Sequence, residues 1–591
     1  MIVLGFSGIA DGDFYFRNYG LRFVGHDSAV ALLRDGEVLF AVEEERLSRK
    51  KHTSALPVNA VRAALAFAKL RATDVDVLAY PWNATARRVA HMFLHHPRRI
   101  PVHHWPALGL TGCRVLWDLM SPRNAVRHLE SRLGERFSRA SLSGVPHHQS
   151  HAACAFLSSG FDESAVLTVD GQGEDESASL GFFDGFDYRK LQVTYSPDSI
   201  GLLYAMVTDF LGMRSAWDEY KVMGMAHFGD PARFKAVFDR LVTLRPEGRY
   251  RTLRTAMVFK PGYCDAFLAR QFGVAKREAA EPLRQEHFDL AAGVQKATEE
   301  VLFHLLRRLR QATKSENLCL AGGVFQNSVA NGKIRQSGVF TNVHIPSVPG
   351  DHGGALGAGL WVARQDVLSR PGRKPVSAFL GPGYGMDVLN EALGRAEGIA
   401  YDRPSRLASS VANLLAKGLI VGWFQGRCEY GPRALGNRSI LADPRRAEMK
   451  DIVNERIKHR EPFRPFAGAV PLDRAPDYFE LSGSSPFMQF VVPIRPEARE
   501  RIPAISHGGT CRVQTVSAEE NPAFHELLVE FGKITSVPIL LNTSFNDADE
   551  PIVCSPSDAL KTFLDTDLDG LVIGPYFVHR SANVRAARFF R

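Results

Sequence analysis

One pattern of apolar runs and Asp-Gly turns occurs twice in this chain and constrains its fold more than any other feature. The apolar runs lie at 2–6, 28–33 and 37–42 in the first copy and at 165–170, 177–183 and 188–195 in the second. In each copy an Asp-Gly dipeptide joins the last two runs, at Asp35-Gly36 and at Asp184-Gly185, which is a strong signal for a β-hairpin. Two copies of strand, loop, strand, turn and strand predict a duplicated, β-rich α/β unit. A chance similarity of two hairpins is the alternative.

The length of 591 residues exceeds what one hydrophobic core supports and predicts two to four domains. A segment rich in Gly and Pro at 369–387 is typical of a linker, so we expect a first domain at 1–368 and a second at 388–591. The other predicted elements are helices at 288–309 and 407–417, strands at 317–320, 419–424 and 537–541, and a loop at 542–546.

Composition excludes several classes of protein. With 45% hydrophobic and 23% charged residues, the chain is typical of a soluble globular protein. The seven cysteines form no Cys-x-x-Cys pair, so we expect neither a disulfide framework nor a structural zinc site, and we expect a reducing cytoplasm as the location. No apolar run reaches the roughly 18 residues of a membrane span. The formal charge of +8 permits an anionic partner without identifying one.

A histidine pair follows Pro146 at an expected helix start. His147 and His151 are four residues apart and so share one helix face, the geometry by which a helix offers two imidazoles to one metal ion. The apolar run at 152–157 indicates that this helix is buried, and buried histidines need partners. Asp351, in a Gly-rich loop, is the candidate third ligand. Two surface histidines on a polar helix end are the alternative.

Two glycine loops follow predicted strands. The residues that we expect to contact phosphate are Asp170, Gly171 and Gly173 in the first loop and Gly322, Gly323 and Asn327 in the second. A glycine between a strand and a helix lets backbone N–H groups reach a phosphate, and the helix dipole adds attraction. A simple turn explains each loop alone equally well, but a pair on a duplicated unit favours nucleotide binding.

A dense basic stretch occupies 425–466. It contains ten Lys and Arg against six Asp and Glu, a net +4, interleaved with Gly, Pro and aromatic residues. Because a merely solvated helix would lack the Gly and Pro, we expect Arg433, Lys458, Arg460 and Arg464 to lie in ordered loops that face anions. Nucleic-acid phosphate is the competing anion, but the stretch shows no regular stripe of basic residues.

Together these segments resemble the antibiotic O-carbamoyltransferases, a family that includes nodulation-type carbamoyltransferases and enzymes that carbamoylate tobramycin, cephamycin and ansamycin scaffolds. The resemblance covers essentially the whole chain. The segments that carry it are Gly25-His26-Asp27-Ser28-Ala29, Glu43-Glu44-Glu45-Arg46-Leu47-Ser48 and on to His52, His147 to His151, Glu219-Tyr220-Lys221-Val222-Met223-Gly224-Met225-Ala226, the glycine loops and the basic stretch.

The resemblance implies an α/β fold in two parts. The first domain would be a duplicated actin-like ATPase fold, similar to the tRNA threonylcarbamoyladenosine synthase, and the second would be similar to the YrdC fold. It further implies that carbamoyl phosphate and ATP, with Mg²⁺, react in the second domain to give carbamoyladenylate, pyrophosphate and phosphate. A substrate hydroxyl then attacks the carbamoyl carbon in the first domain, and AMP leaves.

The resemblance also assigns roles to particular residues. His26, flanked by Asp27, is the candidate base for the hydroxyl proton, with a merely loop-ordering histidine as the alternative. The basic residues that would hold the phosphate groups are Arg433, Lys458, Arg460, Arg464 and Arg512; the segment around Arg512 departs from the family pattern by one residue. Asn542 and Ser544 would orient the nucleotide or the carbamoyl group.

Further expectations concern the metal and the acceptor. A metal at His147, His151 and Asp351 would be iron by resemblance, although zinc or manganese suits these ligands nearly as well. Arg46, Arg49, Lys51 and His52 would reach substrate or adenylate, with a solvated strand end as the alternative reading. We expect the acceptor to be a hydroxyl of a secondary metabolite, with a polyketide or macrolactam ahead of an aminoglycoside, because segment 8–24 contains Phe14-Tyr15-Phe16.

Other functions remain as alternatives. A tRNA-modifying carbamoyl transferase is disfavoured by the fused adenylate-forming domain, and a hydrogenase-maturation enzyme by the absence of Cys-x-x-Cys motifs. A non-catalytic, actin-like nucleotide-binding scaffold is the third possibility. We therefore expect a small-molecule partner, no nucleic acid and no membrane, and the family implies a homodimer.

Overall fold

A computed structural model describes residues 1–10, 26–83, 85, 88, 121–253 and 264–581. The chain divides into two units: unit 1 consists of Met1–Glu45 and His52–Val376, and unit 2 consists of Arg46–Lys51 and Ser377–Arg591. None of the helices in the described ranges has the length and apolar character that a membrane crossing requires.

Two five-stranded sheets form the framework of unit 1. The first sheet consists of β1 (Ile2–Phe6), β2 (Ala29–Arg34), β3 (Glu37–Glu43), β4 (Val77–Tyr80) and β5 (Ser141–Gly144), in the order β3-β2-β1-β4-β5. The second consists of β6 (Glu163–Gly173), β7 (Glu176–Asp184), β8 (Asp187–Tyr195) and, after the separate hairpin β9 (Val242–Arg245) and β10 (Arg249–Thr252), β11 (Asn317–Ala321) and β12 (Asn342–His344), in the order β12-β11-β6-β7-β8.

The two sheets have the same topology. In each, the first strand lies at the centre and pairs antiparallel with the second, which pairs antiparallel with the third. On its other side the first strand pairs parallel with the fourth, and the fourth pairs parallel with the fifth. This repeated order confirms the duplicated α/β unit and the actin-like fold class that the sequence predicts.

Helices cover these sheets. They are α1 (Glu44–Ser48), α2 (Val58–Ala68), α3 (Pro122–Leu133), α4 (His147–Leu157), α5 (Ile200–Phe210), α6 (Glu219–Met225), α7 (Lys235–Leu241), α8 (Asp265–Phe272), α9 (Gln285–Thr313), α10 (Ser328–Gln336), α11 (His352–Val362) and α12 (Arg364–Ser369). Helices α4 and α11 pack so closely that a Cβ on Gly357 would lie 1.9 Å from the carbonyl oxygen of Ser150. Glycine therefore lets the two helices meet, and both lead into the candidate metal site.

Unit 2 is built on one mixed sheet of nine strands. They are β13 (Ile399–Asp402), β14 (Val421–Phe424), β15 (Arg438–Ala442), β16 (Ala467–Pro471), β17 (Val491–Pro493), β18 (Thr510–Val516), β19 (Leu540–Ser544), β20 (Gly570–Ile573) and β21 (Tyr576–Arg580), in the order β13-β21-β20-β14-β15-β19-β16-β18-β17. Its helices are α13 (Met386–Arg395), α14 (Leu407–Ala416), α15 (Met449–Val453), α16 (Pro522–Thr535) and α17 (Pro556–Asp565).

The core of unit 2 forms where α14 and α16 pack against this sheet. Leu415, Phe524 and Phe531 of these helices are fully buried with Trp423 of the sheet. Burial of a large apolar side chain contributes about 1.5–3 kcal/mol to the free energy of folding. This layer therefore stabilises the sheet on which Arg512 and Ser544 lie.

One prediction for unit 2 needs correction. The strand expected at 537–541 occupies Leu540–Ser544 instead, because Pro538 cannot donate to a ladder, so Asn542 and Ser544 lie on a strand rather than in a loop. The division between the two units, at Val376 and Ser377, falls inside the expected linker at 369–387, whose bounds stay a prediction. Ala378 is buried in a core cluster, and its carbonyl accepts from the N–H of Tyr430, because the run Ser377 to Leu380 is apolar enough to pack.

Candidate functional site

Two histidines and two aspartates of unit 1 converge on one point. Helix α4 presents the Nε2 atoms of His147 and His151 3.0 Å apart. Asp170 Oδ2, on β6, lies 3.2 Å from the first and 3.0 Å from the second. Asp351 Oδ1, immediately before α11, lies 3.5 and 3.6 Å from the same two atoms. The structure thus brings together the three expected ligands and adds Asp170, which the sequence suggested only for nucleotide binding.

The charges at this point favour a cation. Burial alone would lower the pKa of His147, but the charges and hydrogen bonds of Asp351 and Asp170 raise it to about 10. Burial would raise the pKa of Asp170, but hydrogen bonds from His147 and His151 hold it well below its usual range. Two ionised carboxylates are therefore buried here and are paired with protonated imidazole; a metal ion bound at this point would replace the imidazole protons.

The spacing of the donor atoms fits one metal ion. Donors about 2.1 Å from a metal lie about 3.0 Å apart in an octahedral site and about 3.4 Å apart in a tetrahedral one. The separations of 3.0–3.6 Å match both geometries. Two imidazoles with two carboxylates suit iron, zinc and manganese, so iron stays a prediction.

The predicted glycine loops surround the same side chains. A Cβ on Gly173 would lie 2.2 Å from the His147 ring, and one on Gly323 would lie 3.0 Å from Asp170 Oδ1. Gly322 has a φ of +101°, a conformation that L side chains rarely adopt. These glycines let the backbone pack against the candidate metal ligands, a role that the sequence did not reveal.

The two remaining residues of the glycine loops have other surroundings. Asn327 caps α10 by accepting from the Ala330 N–H at 3.0 Å, and its Nδ2 donates to Gln295 at 2.7 Å. A Cβ on Gly171 would lie 3.6 Å from the Leu202 side chain, which is an ordinary contact distance. Because the Asn327 amide is engaged within the protein, a nucleotide contact there remains a prediction.

His26, Asp27 and His52 form a hydrogen-bonded row in unit 1. The Asp27 carboxylate bonds His26 Nδ1 at 2.8 Å through one oxygen and His52 Nδ1 at 2.7 Å through the other. Asp27 and His52 both have left-handed φ values, 61° and 52°, a conformation that Asp and His adopt more readily than most residues. The Asp27, Glu45 and His52 ligand atoms lie close enough to hold a second cation, but these hydrogen bonds already account for their geometry.

The protonation of His26 bears on its expected role. Burial by itself would lower its pKa, but the charge and hydrogen bond of Asp27 raise the pKa to about 10. At neutral pH the ring is then protonated, so it can donate a proton but cannot accept one. The role of His26 as general base stays a prediction, and it requires that a bound substrate lower the pKa of His26.

Glu219 is a second candidate base, which the sequence marked only as part of a family segment. It begins α6, and its Oε1 accepts from the Ala216 N–H at 2.6 Å. Burial raises the pKa of Glu219 to about 7, and the charge of His26 acts on it in the opposite direction. A carboxyl with a pKa near the working pH suits proton transfer. No sequence signal separates this glutamate from its neighbours.

Lys458 is the buried centre of a cation cluster in unit 2. It ends a single π-helical turn, Asn454–Lys458, a feature often found at functional sites. Its Nζ donates to the Ser544 carbonyl at 2.5 Å and to the Asn546 carbonyl and Oδ1 at 2.9 and 2.8 Å. Burial and the charges of Arg460 and Arg464 lower the pKa of Lys458 well below its usual range.

Arg512 belongs to the same cluster. Burial and then the charges of Arg433, Arg460 and Arg464 lower its pKa well below the usual range. A guanidinium keeps its proton in proteins, so this shift expresses the cost of burying the Arg512 charge close to other cations. The charges of Arg460 and Arg464 thus act on both Lys458 and Arg512, and the charge of Arg433 acts on Arg512; their role in holding phosphate groups stays a prediction.

Glu429 organises the loop that carries Arg433. Its buried Oε1 accepts from the backbone N–H groups of Leu435, Asn437 and Arg438 at 2.7, 2.9 and 3.1 Å. Charge-assisted bonds of this kind are roughly twice as strong as neutral ones. The loop is therefore folded around its own carboxylate. Sequence reasoning counted this residue only as one negative charge.

The predicted substrate contacts Arg46, Arg49 and Lys51 belong to unit 2, whereas His52 belongs to unit 1. Arg46 is buried and donates to the Gly431 carbonyl at 2.5 Å. Arg49 donates to the Ile552 and Pro551 carbonyls at 2.7 and 2.9 Å. These two guanidinium groups tie backbone segments together, so their geometry gives no support to the expected substrate contact. The positive charge of Lys51 contributes to the lowered pKa of Lys458.

The expected acceptor-facing segment 8–24 lies outside the described residues beyond position 10, and Phe14-Tyr15-Phe16 lies outside them as well. No structural account of the acceptor follows from this segment.

Comparisons with known proteins agree with this arrangement. Residues 17–360 match the family described as "Carbamoyltransferase N-terminus", and residues 412–580 match "Carbamoyltransferase C-terminus". The chain is 40% identical over 565 residues to nodulation protein NolNO of Sinorhizobium fredii, which covers 94% of this chain and 79% of that protein. It is 42% identical over 440 residues to nodulation protein NolO of Bradyrhizobium diazoefficiens, which covers 73% of this chain and 78% of that protein.

Among solved structures, T. kodakarensis HypF matches with a TM-score of 0.31 and 12% identity, over 62% of this chain and 48% of that chain. That score is too low to carry an argument, and the fold assignment rests on the strand order. The two family matches together span most of the sequence, and they and the identity to NolNO lead to one conclusion. This chain belongs to the carbamoyltransferase family and is a transferase.

Proposed function

We propose that the chain is an ATP-dependent O-carbamoyltransferase with two reaction steps. Unit 2 forms carbamoyladenylate from carbamoyl phosphate and ATP, and unit 1 transfers the carbamoyl group to a hydroxyl of a small molecule. The observation that carries the proposal is the cation cluster of unit 2, in which Lys458 and Arg512 are held against other cations. Such mutual repulsion is relieved by polyanionic substrates, and carbamoyl phosphate and ATP are both polyanions.

The first step consumes one water molecule. Water cleaves carbamoyl phosphate to carbamate and inorganic phosphate. A carbamate oxygen then attacks the α-phosphorus of ATP, a new P–O bond forms, and the bond to the β-phosphate oxygen breaks as pyrophosphate leaves with its electron pair. Lys458 and Arg512 stabilise the negative charge that develops on these oxygens. Mg²⁺ enters with ATP as part of the substrate.

The second step takes place on the residues of unit 1. The acceptor oxygen attacks the carbamoyl carbon, the bond to the adenylate oxygen breaks, and AMP leaves with the electron pair. Glu219 takes the hydroxyl proton, and His26 does so only where the bound substrate lowers the pKa of its ring, which Asp27 fixes through the 2.8 Å hydrogen bond. A metal bound by His147, His151, Asp170 and Asp351 would supply Lewis-acid stabilisation of the departing phosphate. The acceptor that we propose is a secondary metabolite, as in antibiotic biosynthesis.

ATP–pyrophosphate exchange tests the proposal directly. We expect the wild type to exchange labelled pyrophosphate into ATP only when carbamoyl phosphate is present. Lys458→Met should abolish the exchange, because it removes the buried ammonium. Lys561→Met is the matched control: Lys561 lies on α17 of the same unit and is mostly exposed, so exchange should be unchanged. Exchange that does not depend on carbamoyl phosphate would refute adenylate formation.

A second assay separates the two steps. Incubation with ATP, carbamoyl phosphate and a panel of alcohols should give a product heavier by one carbamoyl group. His147→Ala should abolish this transfer and leave the exchange reaction intact. Loss of both activities in a folded His147→Ala protein would contradict separate sites.

A further inference from the structure

Two cysteines of unit 2 lie against each other and against one tyrosine. Cys428 and Cys554 are both buried, and both are free thiols. The Cys428 N–H donates to the Pro382 carbonyl at 2.9 Å, and the hydroxyl of Tyr384 lies 3.9 Å from Cys554 Sγ. The two thiols themselves are in hydrogen-bonding contact. The segment 382–384 therefore contacts both members of a thiol pair that are far apart in the chain.

The two sulfur atoms have different surroundings. Cys428 Sγ lies 3.5 Å from the Glu429 carbonyl, an acceptor that favours a protonated thiol. Cys554 directly precedes Ser555, the N-cap of α17, and a thiol near a helix N-terminus loses its proton more readily. The hydrogen bond from Cys428 lowers the pKa of the Cys554 thiol, and the same contact raises the pKa of Cys428. Cys554 is therefore the member of the pair that ionises.

A buried guanidinium adds positive charge beside this pair. Arg438 is buried, and its Nη1 and Nη2 donate to the Asn437 and Gly426 carbonyls at 3.1 and 3.2 Å. Within the described residues its Nε has no hydrogen-bond partner. The charge of Arg438 lowers the pKa of Cys554 further. Because a buried charge is stable when it is paired, a Cys554 thiolate balances a guanidinium that donates to neutral carbonyls.

We propose that Cys428 and Cys554 form an oxidisable dithiol, which a peroxide converts into a disulfide and a small dithiol reduces again. A disulfide holds its sulfur atoms about 2.05 Å apart, so two thiols already in contact need only a small approach. Tyr384, which contacts Cys554, is only half-buried and lies between the exposed Gly383 and Gly385. A shift of this one side chain gives a small peroxide access to the sulfur.

The oxidation consists of two displacements. The Cys554 thiolate attacks one peroxide oxygen, an S–O bond forms, and the O–O bond breaks as hydroxide leaves and takes up the proton that Cys554 had lost. The Cys428 sulfur then attacks the sulfur of the Cys554 sulfenic acid, an S–S bond forms, and the S–O bond breaks. The second hydroxide leaves with the Cys428 proton as water. The pair thus loses two electrons, and the peroxide becomes two water molecules.

The disulfide would join two segments that carry parts of the proposed anion site. Cys428 directly precedes Glu429, whose carboxylate organises the neighbouring loop. On the other side, Asn546 lies in the segment that leads to Cys554, and its carbonyl accepts from Lys458 at 2.9 Å. We therefore expect the oxidised protein to catalyse slower ATP–pyrophosphate exchange. This consequence rests on the proposed function, whereas the disulfide itself does not.

Peroxide titration of the full-length protein tests the site. The protein is treated with hydrogen peroxide, unfolded, alkylated and digested, and the unreduced peptides are weighed by mass spectrometry. We expect a peptide pair that joins Cys428 to Cys554, is lighter by two hydrogen atoms than the two reduced peptides together, and separates after treatment with dithiothreitol.

Cys511 is the internal control for the reactivity of a buried thiol. It is buried in the same unit, and burial raises the pKa of its thiol to about 12. Because the thiolate is the reactive form, we expect Cys554 to be oxidised at least about tenfold faster than Cys511. A pair that is oxidised no faster than Cys511, or a disulfide between other cysteines, overturns the proposal. This comparison uses the wild type and does not depend on how a variant folds.

Two serine variants test the order of the steps. In Cys428→Ser the oxidation should stop at a sulfenic acid on Cys554, which a 1,3-diketone reagent traps. In Cys554→Ser, Cys428 should stay reduced, because its proton is retained. A sulfenic acid trapped on Cys428 in the folded Cys554→Ser protein contradicts the assignment of Cys554 as the attacking thiol.

The exchange reaction separates this inference from the proposed function. A displacement of about 1 Å in a site can cost up to about 100-fold in rate, so we expect the disulfide to slow exchange at least about tenfold, and dithiothreitol to restore it. Cys554→Ser should keep its own rate after peroxide. A disulfide that leaves exchange unchanged overturns the effect on the anion site. A reduced wild type without exchange that depends on carbamoyl phosphate overturns the proposed function, and the peptide masses still decide the disulfide.

Discussion

Replacement of Glu429 is the most direct test of how unit 2 builds the loop that carries Arg433, part of its proposed anion site. Glu429 is 1% exposed, and one of its oxygens accepts three backbone N–H groups. Glu429→Ala would leave three buried donors unpaired, at about 1–3 kcal/mol each. Because the three bonds share one oxygen they are not additive, and we expect a local destabilisation on the order of 4 kcal/mol. Glu429→Gln keeps a neutral acceptor and should cost about 1–2 kcal/mol.

Hydrogen exchange of the 431–438 backbone measures these values locally, which matters because a chain of two units need not unfold in one step. A loss of 4 kcal/mol predicts amide exchange about 10³-fold faster in Glu429→Ala, and Glu429→Gln should show about a tenfold increase. The KM for carbamoyl phosphate should rise in the same order, because Arg433 is carried by this loop.

Glu448→Ala is the matched control for Glu429. Glu448 is exposed and pairs with exposed Arg446, so loop exchange and KM should stay at the wild-type values. A folded Glu429→Ala protein with unchanged exchange at 431–438 would refute the claim that this carboxylate organises the loop.

Three further perturbations test unit 1. Asp170→Asn should lower the metal content of the folded protein at least about tenfold by elemental analysis, since it removes one of two ligand carboxylates, and equal metal content would contradict the site. The pKa of Glu219 is raised to about 7, so if this carboxylate is the base, AMP release to the acceptor rises with pH through about 7. Glu219→Gln should remove that rise, and an unaltered pH profile would exclude the role. The pKa of His26 is raised from 6.5 to about 10, so its pairing with Asp27 stabilises the fold fully below pH 6.5 and is lost as pH rises through 10. Asp27→Asn should flatten the fall of the thermal midpoint over that range, and parallel curves for the two proteins would count against the pairing.

Local patterns explain what the sequence predicts well. The two hairpins follow from Asp-Gly turns between apolar runs, and the strand order of both sheets agrees with the duplication. The facing rings of His147 and His151 follow from the 3.6-residue period of a helix. Each of these features depends on residues close together in the chain, where spacing alone carries the information.

Features that depend on distant residues were missed. Asp170 becomes a candidate ligand only because β6 ends beside α4. Arg46 donates to Gly431, 385 residues away, and no pattern of charges predicts that contact. The strand at 540–544 was misplaced because its apolar run begins before Pro538, where the ladder cannot form.

The basic stretch shows why a count of charges is a poor guide to a binding site. Its net charge of +4 led to the prediction of an anion site in this segment, but many of its cations have partners within the protein. Arg445 pairs with Asp443 and Arg446 with Glu448 within the stretch, and Arg456 pairs with the distant Asp569. Arg438 is buried, lies 3.7 Å over the Phe424 ring and donates to the Gly426 carbonyl. The proposed site is marked instead by two buried cations, Lys458 and Arg512, whose pKa values are lowered by burial and by neighbouring cations. Arg512 lies outside the stretch. A buried lysine can relieve such repulsion by losing its proton, but the Arg512 guanidinium keeps its proton, so we propose the buried cluster around Arg512, rather than the excess of charge along the stretch, as the phosphate site.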